Sequence, residues 1–128
     1  LRQGTDSTSL TDYKTGKMGG AELVAAVPEI AKVATVRTEQ FANLISSDLS
    51  FEDWLGLARR IEAILSADPG VAGIVVTHGT NTLEETAYFL NLVLRHDRPL
   101  VLVGSQRPAT AISADGPLNL LNAVRGAA

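Results

Sequence analysis

The chain has 128 residues, 45% of them hydrophobic and 20% charged, with 11 Lys and Arg against 14 Asp and Glu and a formal charge of -3. That length fits one compact domain. The weakly acidic balance lacks the basic stripe that nucleic-acid phosphates demand, and no apolar run nears the ~18 residues of a membrane span. With 0 cysteines, disulfide, thiolate-metal and cysteine-nucleophile chemistry are excluded, and the apolar fraction excludes disorder.

Residues 1–20 are rich in Gly, Ser, Thr and Lys and read as a loop or flap whose one aromatic residue is Tyr13. The start, Leu1-Arg2-Gln3-Gly4, has no Met and no strand before the polar run 4–9. The end, Arg125-Gly126-Ala127-Ala128, falls inside a helical pattern. We therefore expect one part of a longer chain. A short helix is predicted over residues 21–27, with Pro28 breaking it or starting a second turn. Residues 35–44 alternate weakly, carry Val36 and Phe41, and predict a strand.

Ser50-Phe51-Glu52-Asp53 has the form of a helix start, with Ser50 as N-cap. Trp54, Leu57, Ala58, Ile61, Ile64 and Leu65 then recur at helical spacing until Asp68-Pro69-Gly70 ends the helix. The apolar run 71–76 predicts a strand covered on both faces. Thr82-Leu83-Glu84-Glu85 reads as a capping box opening a helix to about Leu94. Residues 99–104 predict a second buried strand. Asp115-Gly116-Pro117 starts a last helix, with Asp115 as cap and Leu118, Leu121 and Val124 on its apolar side. Strand, helix, strand, helix in this order implies a parallel α/β sheet.

Ligands of open α/β sheets bind beyond the carboxyl ends of the strands. Three polar segments fall there: Ile45-Ser46-Ser47-Asp48, Thr77-His78-Gly79-Thr80-Asn81-Thr82 and Gly104-Ser105-Gln106-Arg107-Pro108. Neither a dinucleotide fingerprint nor a P-loop is present, so no phosphate-binding reading survives. Each residue also has a plain structural reading. Thr82 serves as an N-cap, Asn81 as either a turn residue or a ligand, and Ser46 and Ser47 as partners of loop backbone groups. His78 reads as a structural imidazole rather than a general base, and His96 as a solvated loop residue. No cluster of metal ligands occurs, so no metal and no cofactor is expected. Alone, these residues define a hydroxyl-rich small-molecule site.

Read together, the segments resemble the bacterial asparaginases and glutaminase-asparaginases. Ile74-Val75-Val76-Thr77-His78-Gly79-Thr80-Asn81-Thr82-Leu83-Glu84-Glu85-Thr86-Ala87-Tyr88-Phe89-Leu90 is similar to one signature of that family. Val103-Gly104-Ser105-Gln106-Arg107-Pro108 with Ser113-Ala114-Asp115-Gly116-Pro117-Leu118-Asn119-Leu120 is similar to the next block. Tyr13-Lys14-Thr15-Gly16-Lys17 and Asn43-Leu44-Ile45-Ser46-Ser47-Asp48 follow the family order upstream, so the resemblance spans the chain. The Asp-Gly-Pro helix start is closer to the type II, exported branch.

The resemblance implies a three-layer, mostly parallel Rossmann- or flavodoxin-like N-terminal domain, here partial. A flap would occupy residues 1–20 and βα units residues 33–128, with the first strand and a C-terminal domain outside the chain. It implies hydrolysis of the side-chain amide of asparagine, or glutamine, by threonine hydroxyls, which need a base or cation beside them. Thr80 matches the second catalytic threonine, which pairs with a lysine, and Tyr13 matches the flap tyrosine. Ser46 matches a holder of the substrate α-carboxylate, Ser47 stands where many members carry Gln, and Ser105 stands where a backbone carbonyl orients the substrate amide. The first catalytic threonine and the lysine would fall outside residues 1–128, so this stretch alone is expected to be inactive. Asn81 replaces the usual Asp that pairs with the substrate α-ammonium. Family partners would be the amino-acid substrate and further copies, as a tetramer of two dimers. The compartment would be periplasmic or secreted by the type II likeness, with a cytoplasmic location as the alternative. An amino-acid-binding module with altered chemistry is the competing function.

Overall fold

The computed structural model describes residues 18–128. The expected flap and Tyr13 lie outside the described residues, save that the flap's last positions border the first helix. That helix, α1 (Gly20–Ala25), is followed by a 3-10 turn, Pro28–Lys32. Pro28 opens the turn, where its missing N–H costs nothing. Together the two pieces bury Leu23, Val27 and Ile30.

Helix α2 (Phe51–Ala67) starts as predicted. Ser50 Oγ accepts the Asp53 amide at 3.2 Å and the Asp53 carboxylate accepts the Ser50 amide at 2.8 Å. Its other end is closed by Arg98, whose guanidinium donates to the carbonyls of Asp68 at 2.8 Å, Val71 at 2.9 Å and Leu65. A cation fanned over the last carbonyls satisfies acceptors the helix itself leaves open.

Strand β1 (Ile74–Thr77), helix α3 (Leu83–Val93), strand β2 (Leu100–Val103) and helix α4 (Gly116–Ala127) complete the order. The strands pair in parallel, Ile74 opposite Leu100 through Thr77 opposite Val103. The first strand begins later than its apolar run. The Val71 amide is engaged by the Asp68 carbonyl at 3.2 Å, and the ladder opens only where the Ile74 amide reaches Pro99 O at 2.9 Å.

Period-two alternation sorts the strand side chains onto two faces. Val75 and Val103 pack against Leu120, Leu121 and Val124 of α4, together with the α1 region. Ile74, Val76, Leu100 and Leu102 pack against Ala58, Ile61 and Leu65 of α2 and Leu90 of α3. Helices therefore cover both faces, which explains the near-continuous apolar strands.

Three expectations are corrected. Residues 35–44 form no strand but an unpaired segment between α1 and α2. Its alternation is real and serves side-chain contacts instead. Arg37 pairs with Asp68 at 2.7 Å, Glu39 with Arg60 through two bonds of 2.7 Å, and Phe41 lies over Gly56. On the opposite parity, Thr38 and Gln40 meet Gly20. Leu118 is 60% exposed, because the buried stripe of α4 runs through Leu120, Ala123, Val124 and Ala127, and at 100° per residue Leu118 falls on the far side. His96 is not solvated. Its Nε2 lies 2.8 Å from a Glu62 carboxylate oxygen with the ring side chain 22% exposed, and the other oxygen accepts the Arg95 amide at 2.9 Å. That amide, followed by the charge of His96, holds the Glu62 pKa below the ordinary carboxylate value.

Candidate active site

The carboxyl ends of β1 and β2 lead into residues 78–82 and 104–115, and the 3-10 turn Ser46–Asp48 stands beside the first of these loops. Contact between the turn and the loop is close. A Cβ at Gly79 would lie 2.7 Å from Ser46 Oγ, and the Thr82 hydroxyl donates to the Ser46 carbonyl at 2.7 Å. Thr82 is thus at the start of α3 as predicted, but its side chain makes no capping bond. Its hydroxyl has been taken by the turn that carries Ser46. The helix start relies instead on the Thr82 carbonyl, which accepts the Thr86 amide at 3.1 Å.

The second loop is drawn in at Gly104. A Cβ there would be 2.9 Å from both the His78 carbonyl and the Thr80 methyl, so only glycine lets the end of β2 approach the Thr80 loop. Thr77, Val103, Gly104, Gly116 and Leu120 line a small cleft at this level. Ser46, Thr80 and Ser105 are consequently gathered on one end of the sheet. Ser46 and Ser105 are each 5% exposed, Thr80 is half-buried, and Ser47 and Asn81 are exposed. Ser105 Oγ is buried with no hydrogen-bond partner among the described residues. Tyr13 lies outside the described residues.

Asp115 precedes α4, but its carboxylate turns away from the helix amides it was predicted to cap. It accepts the amides of Gln106 and Arg107, each at 2.9 Å, while Asn119 Nδ2 donates to the Gly104 carbonyl at 3.1 Å. The head of α4 thereby clamps the 104–107 loop. Burial opposes the Asp115 charge, but the two amides outweigh it and hold the carboxyl below its ordinary value. The linked stabilisation is complete above the unfolded pKa of about 3.9 and is lost as pH falls through the lower folded value. Acid titration of the Gln106 and Arg107 amide resonances should therefore show release of the loop with a midpoint below about 3.9. A midpoint above that value would contradict the clamp.

His78 has the structural role predicted for it. Its Nδ1 donates to the Gly79 carbonyl at 2.5 Å, which leaves Nε2 to accept the Thr86 hydroxyl at 2.8 Å. Thr86 Oγ1 in turn accepts Trp54 Nε1 at 2.9 Å. This relay ties α2, α3 and the Thr80 loop together. Sequence reasoning did not isolate Thr86. The available signal was a hydroxyl on the apolar side of α3, one turn from Leu90, and both residues are 0% exposed.

A parallel α/β layer with hydroxyl groups and a helix-clamped loop at its carboxyl end is the frame of a small-molecule enzyme or binding domain. Residues 3–128 match the family described as asparaginase, N-terminal, and the chain belongs to that family. It is 56% identical over 118 residues to L-asparaginase 2 of Bacillus subtilis (strain 168), covering 92% of this chain and 31% of that protein. It is 50% identical over 121 residues to the glutaminase-asparaginase of Pseudomonas fluorescens biotype A, covering 94% and 33%. The crystal structure of a probable cytoplasmic L-asparaginase from Campylobacter jejuni superposes with a TM-score of 0.91 at 48% identity, covering 97% of this chain and 37% of that one. The chain thus spans about a third of the length of the curated relatives it matches.

Proposed function

We propose that the protein carrying this domain hydrolyses the side-chain amide of L-asparagine, with L-glutamine as an alternative substrate, to the acid and ammonia. The observation that carries this reading is the convergence of Ser46, Thr80 and Ser105 at the carboxyl end of the sheet. Thr80 and Tyr13 act in catalysis. Ser46 takes the α-carboxylate, Ser47 makes a shorter or water-mediated substrate contact where many members carry Gln, Asn81 faces the α-ammonium, and the Ser105 backbone orients the amide. The first threonine and the lysine that activates Thr80 belong to parts of the protein beyond these residues. The domain is one portion of a three-layer Rossmann-like N-terminal unit, completed by a C-terminal domain. The assembly is a tetramer of two dimers, exported to the periplasm or medium. No cofactor takes part in the scheme.

The decisive experiment is ammonia release from asparagine and glutamine by the purified full-length protein. Binding of asparagine without turnover would favour the amino-acid-binding module instead, a reading that the neutral Asn81 supports. Asn81 makes a separate prediction. A charge-assisted hydrogen bond contributes roughly 1.5–3 kcal/mol against about 0.5–1.5 for a neutral one. Asn81→Asp in the full-length protein should therefore raise kcat/KM for asparagine about tenfold, mainly through KM. Unchanged kinetics would remove Asn81 from the set of limiting contacts.

A further inference from the structure

Three hydrogen bonds run in series from α2 to the Thr80 loop, and their direction follows by elimination. The Gly79 carbonyl can only accept, so His78 Nδ1 carries the proton across their 2.5 Å contact. The opposite nitrogen of the neutral ring then accepts, and the Thr86 hydroxyl gives it its single proton at 2.8 Å. Trp54 Nε1, a donor only, completes the series on Thr86 Oγ1 at 2.9 Å. The last acceptor is the carbonyl of the peptide that joins Gly79 to Thr80. In a planar trans peptide the N–H points opposite to the C=O, so a hold on the Gly79 oxygen also aims the Thr80 amide. Glycine leaves the peptide after it freer to turn than other residues do. The orientation of this plane is therefore set from outside the loop, by the imidazole.

We propose that Thr86 is a positioning residue for Thr80, acting through the His78 ring. Packing alone does not account for a hydroxyl at this point. Thr86 is 0% exposed, valine has nearly the same shape, and a buried hydroxyl is unfavourable unless it is hydrogen-bonded. What valine lacks is the proton that Nε2 accepts while Nδ1 holds the loop. Trp54 sharpens the arrangement. Its N–H occupies the Thr86 oxygen and directs the hydroxyl proton to His78, and bonds in such a chain strengthen one another. The indole is itself held by stacking on Phe89 of α3, with ring centroids 5.6 Å apart. The inference rests on the amidohydrolase reading above and deepens it by naming a buried residue of α3 on which the placement of Thr80 depends.

The test is steady-state ammonia release from asparagine by variants of the full-length protein. Thr86→Val keeps the shape and removes the hydroxyl. Its kcat should fall by about 10- to 10²-fold, the scale of a small misplacement of a reacting group, and by more than KM rises. Thr86→Ser restores the hydroxyl and should recover most of kcat. Trp54→Phe keeps an aromatic ring against Phe89 and removes the donor, so it should lower kcat less than Thr86→Val does. Added to Thr86→Val, it should cause no further loss of kcat, because the series is already broken. Additive losses would mean two independent packing effects and would overturn the proposal. So would a Thr86→Val variant with the kcat of wild type, or a Thr86→Ser variant as impaired as Thr86→Val. If Thr86→Val does not fold, Trp54→Phe decides, and an unchanged kcat there overturns the relay. An active wild type with these results would leave the amidohydrolase reading standing, whereas a wild type that releases no ammonia would overturn both.

Discussion

Replacing Thr80 by Ala in the full-length protein is expected to lower ammonia release from asparagine by at least about 10²-fold, the lower range for loss of a group acting in proton transfer. The substitution removes a hydroxyl and a methyl from a half-buried loop residue and keeps its Cβ. The Thr80 methyl it removes approaches Gly104 closely. The thermal transition, measured on the same variants, serves as the control for folding. Thr80→Ser retains the hydroxyl while removing that methyl, so it should keep most of the activity. An Ala variant within tenfold of wild type would remove Thr80 from catalysis, and a Ser variant as impaired as Ala would assign the methyl, not the hydroxyl, as the group that matters.

Gly73→Ala is the substitution expected to damage the fold most. A Cβ at this position would run into the Ala127 carbonyl oxygen and lie 2.8 Å from that of Pro99. Both obstacles are backbone, one in the last turn of α4 and the other at the lead-in to β2, so neither can swing aside as a flexible side chain would. Pro99 O also accepts the Ile74 amide at 2.9 Å, the rung at which the parallel ladder opens. Overpacking of this kind typically costs about 1–3 kcal/mol, and a loss of that size should lower the urea midpoint without changing the slope. Gly126→Ala supplies the opposite sign. It lies inside α4, where a new Cβ would stand 3.8 Å from Val101 Cγ2 in ordinary contact. Relief of the glycine entropy there should stabilise by roughly 0.5–1 kcal/mol. Equal stability of the two variants would contradict the close packing of α4 on the sheet.

The contrast between the two glycines shows where sequence reading stops. Nothing local distinguishes Gly73 from Gly126, because the crowding at Gly73 comes from residues 26 and 54 positions further along. The ends of α2 divide in the same way. Its N-terminal box lies within four residues and was legible from Ser50 and Asp53, whereas its C-terminal closure comes from Arg98, thirty positions from Asp68. Thr82 and Asp115 both stand at the helix starts that their chemistry indicates. A hydroxyl or carboxylate can accept from whichever donors the tertiary structure brings, or donate elsewhere, and each was engaged by a neighbouring loop instead.

Hydrophobic period and capping chemistry act over a few residues, so the sequence by itself determined α2, α3, α4, the two apolar strands and their parallel order. It also determined that residues 78–82 and 104–108 could carry hydroxyl chemistry, because those two loops follow the strands directly, whereas the Ser46 turn follows no strand. Three things were decided only by the tertiary structure: that residues 35–44 alternate in order to bridge two helices and not to join a sheet, that Thr86 orients His78, and that Ser46 touches Gly79. Each depends on a contact between distant parts of the chain, and a long-range contact leaves no spacing in the local pattern from which it could be read.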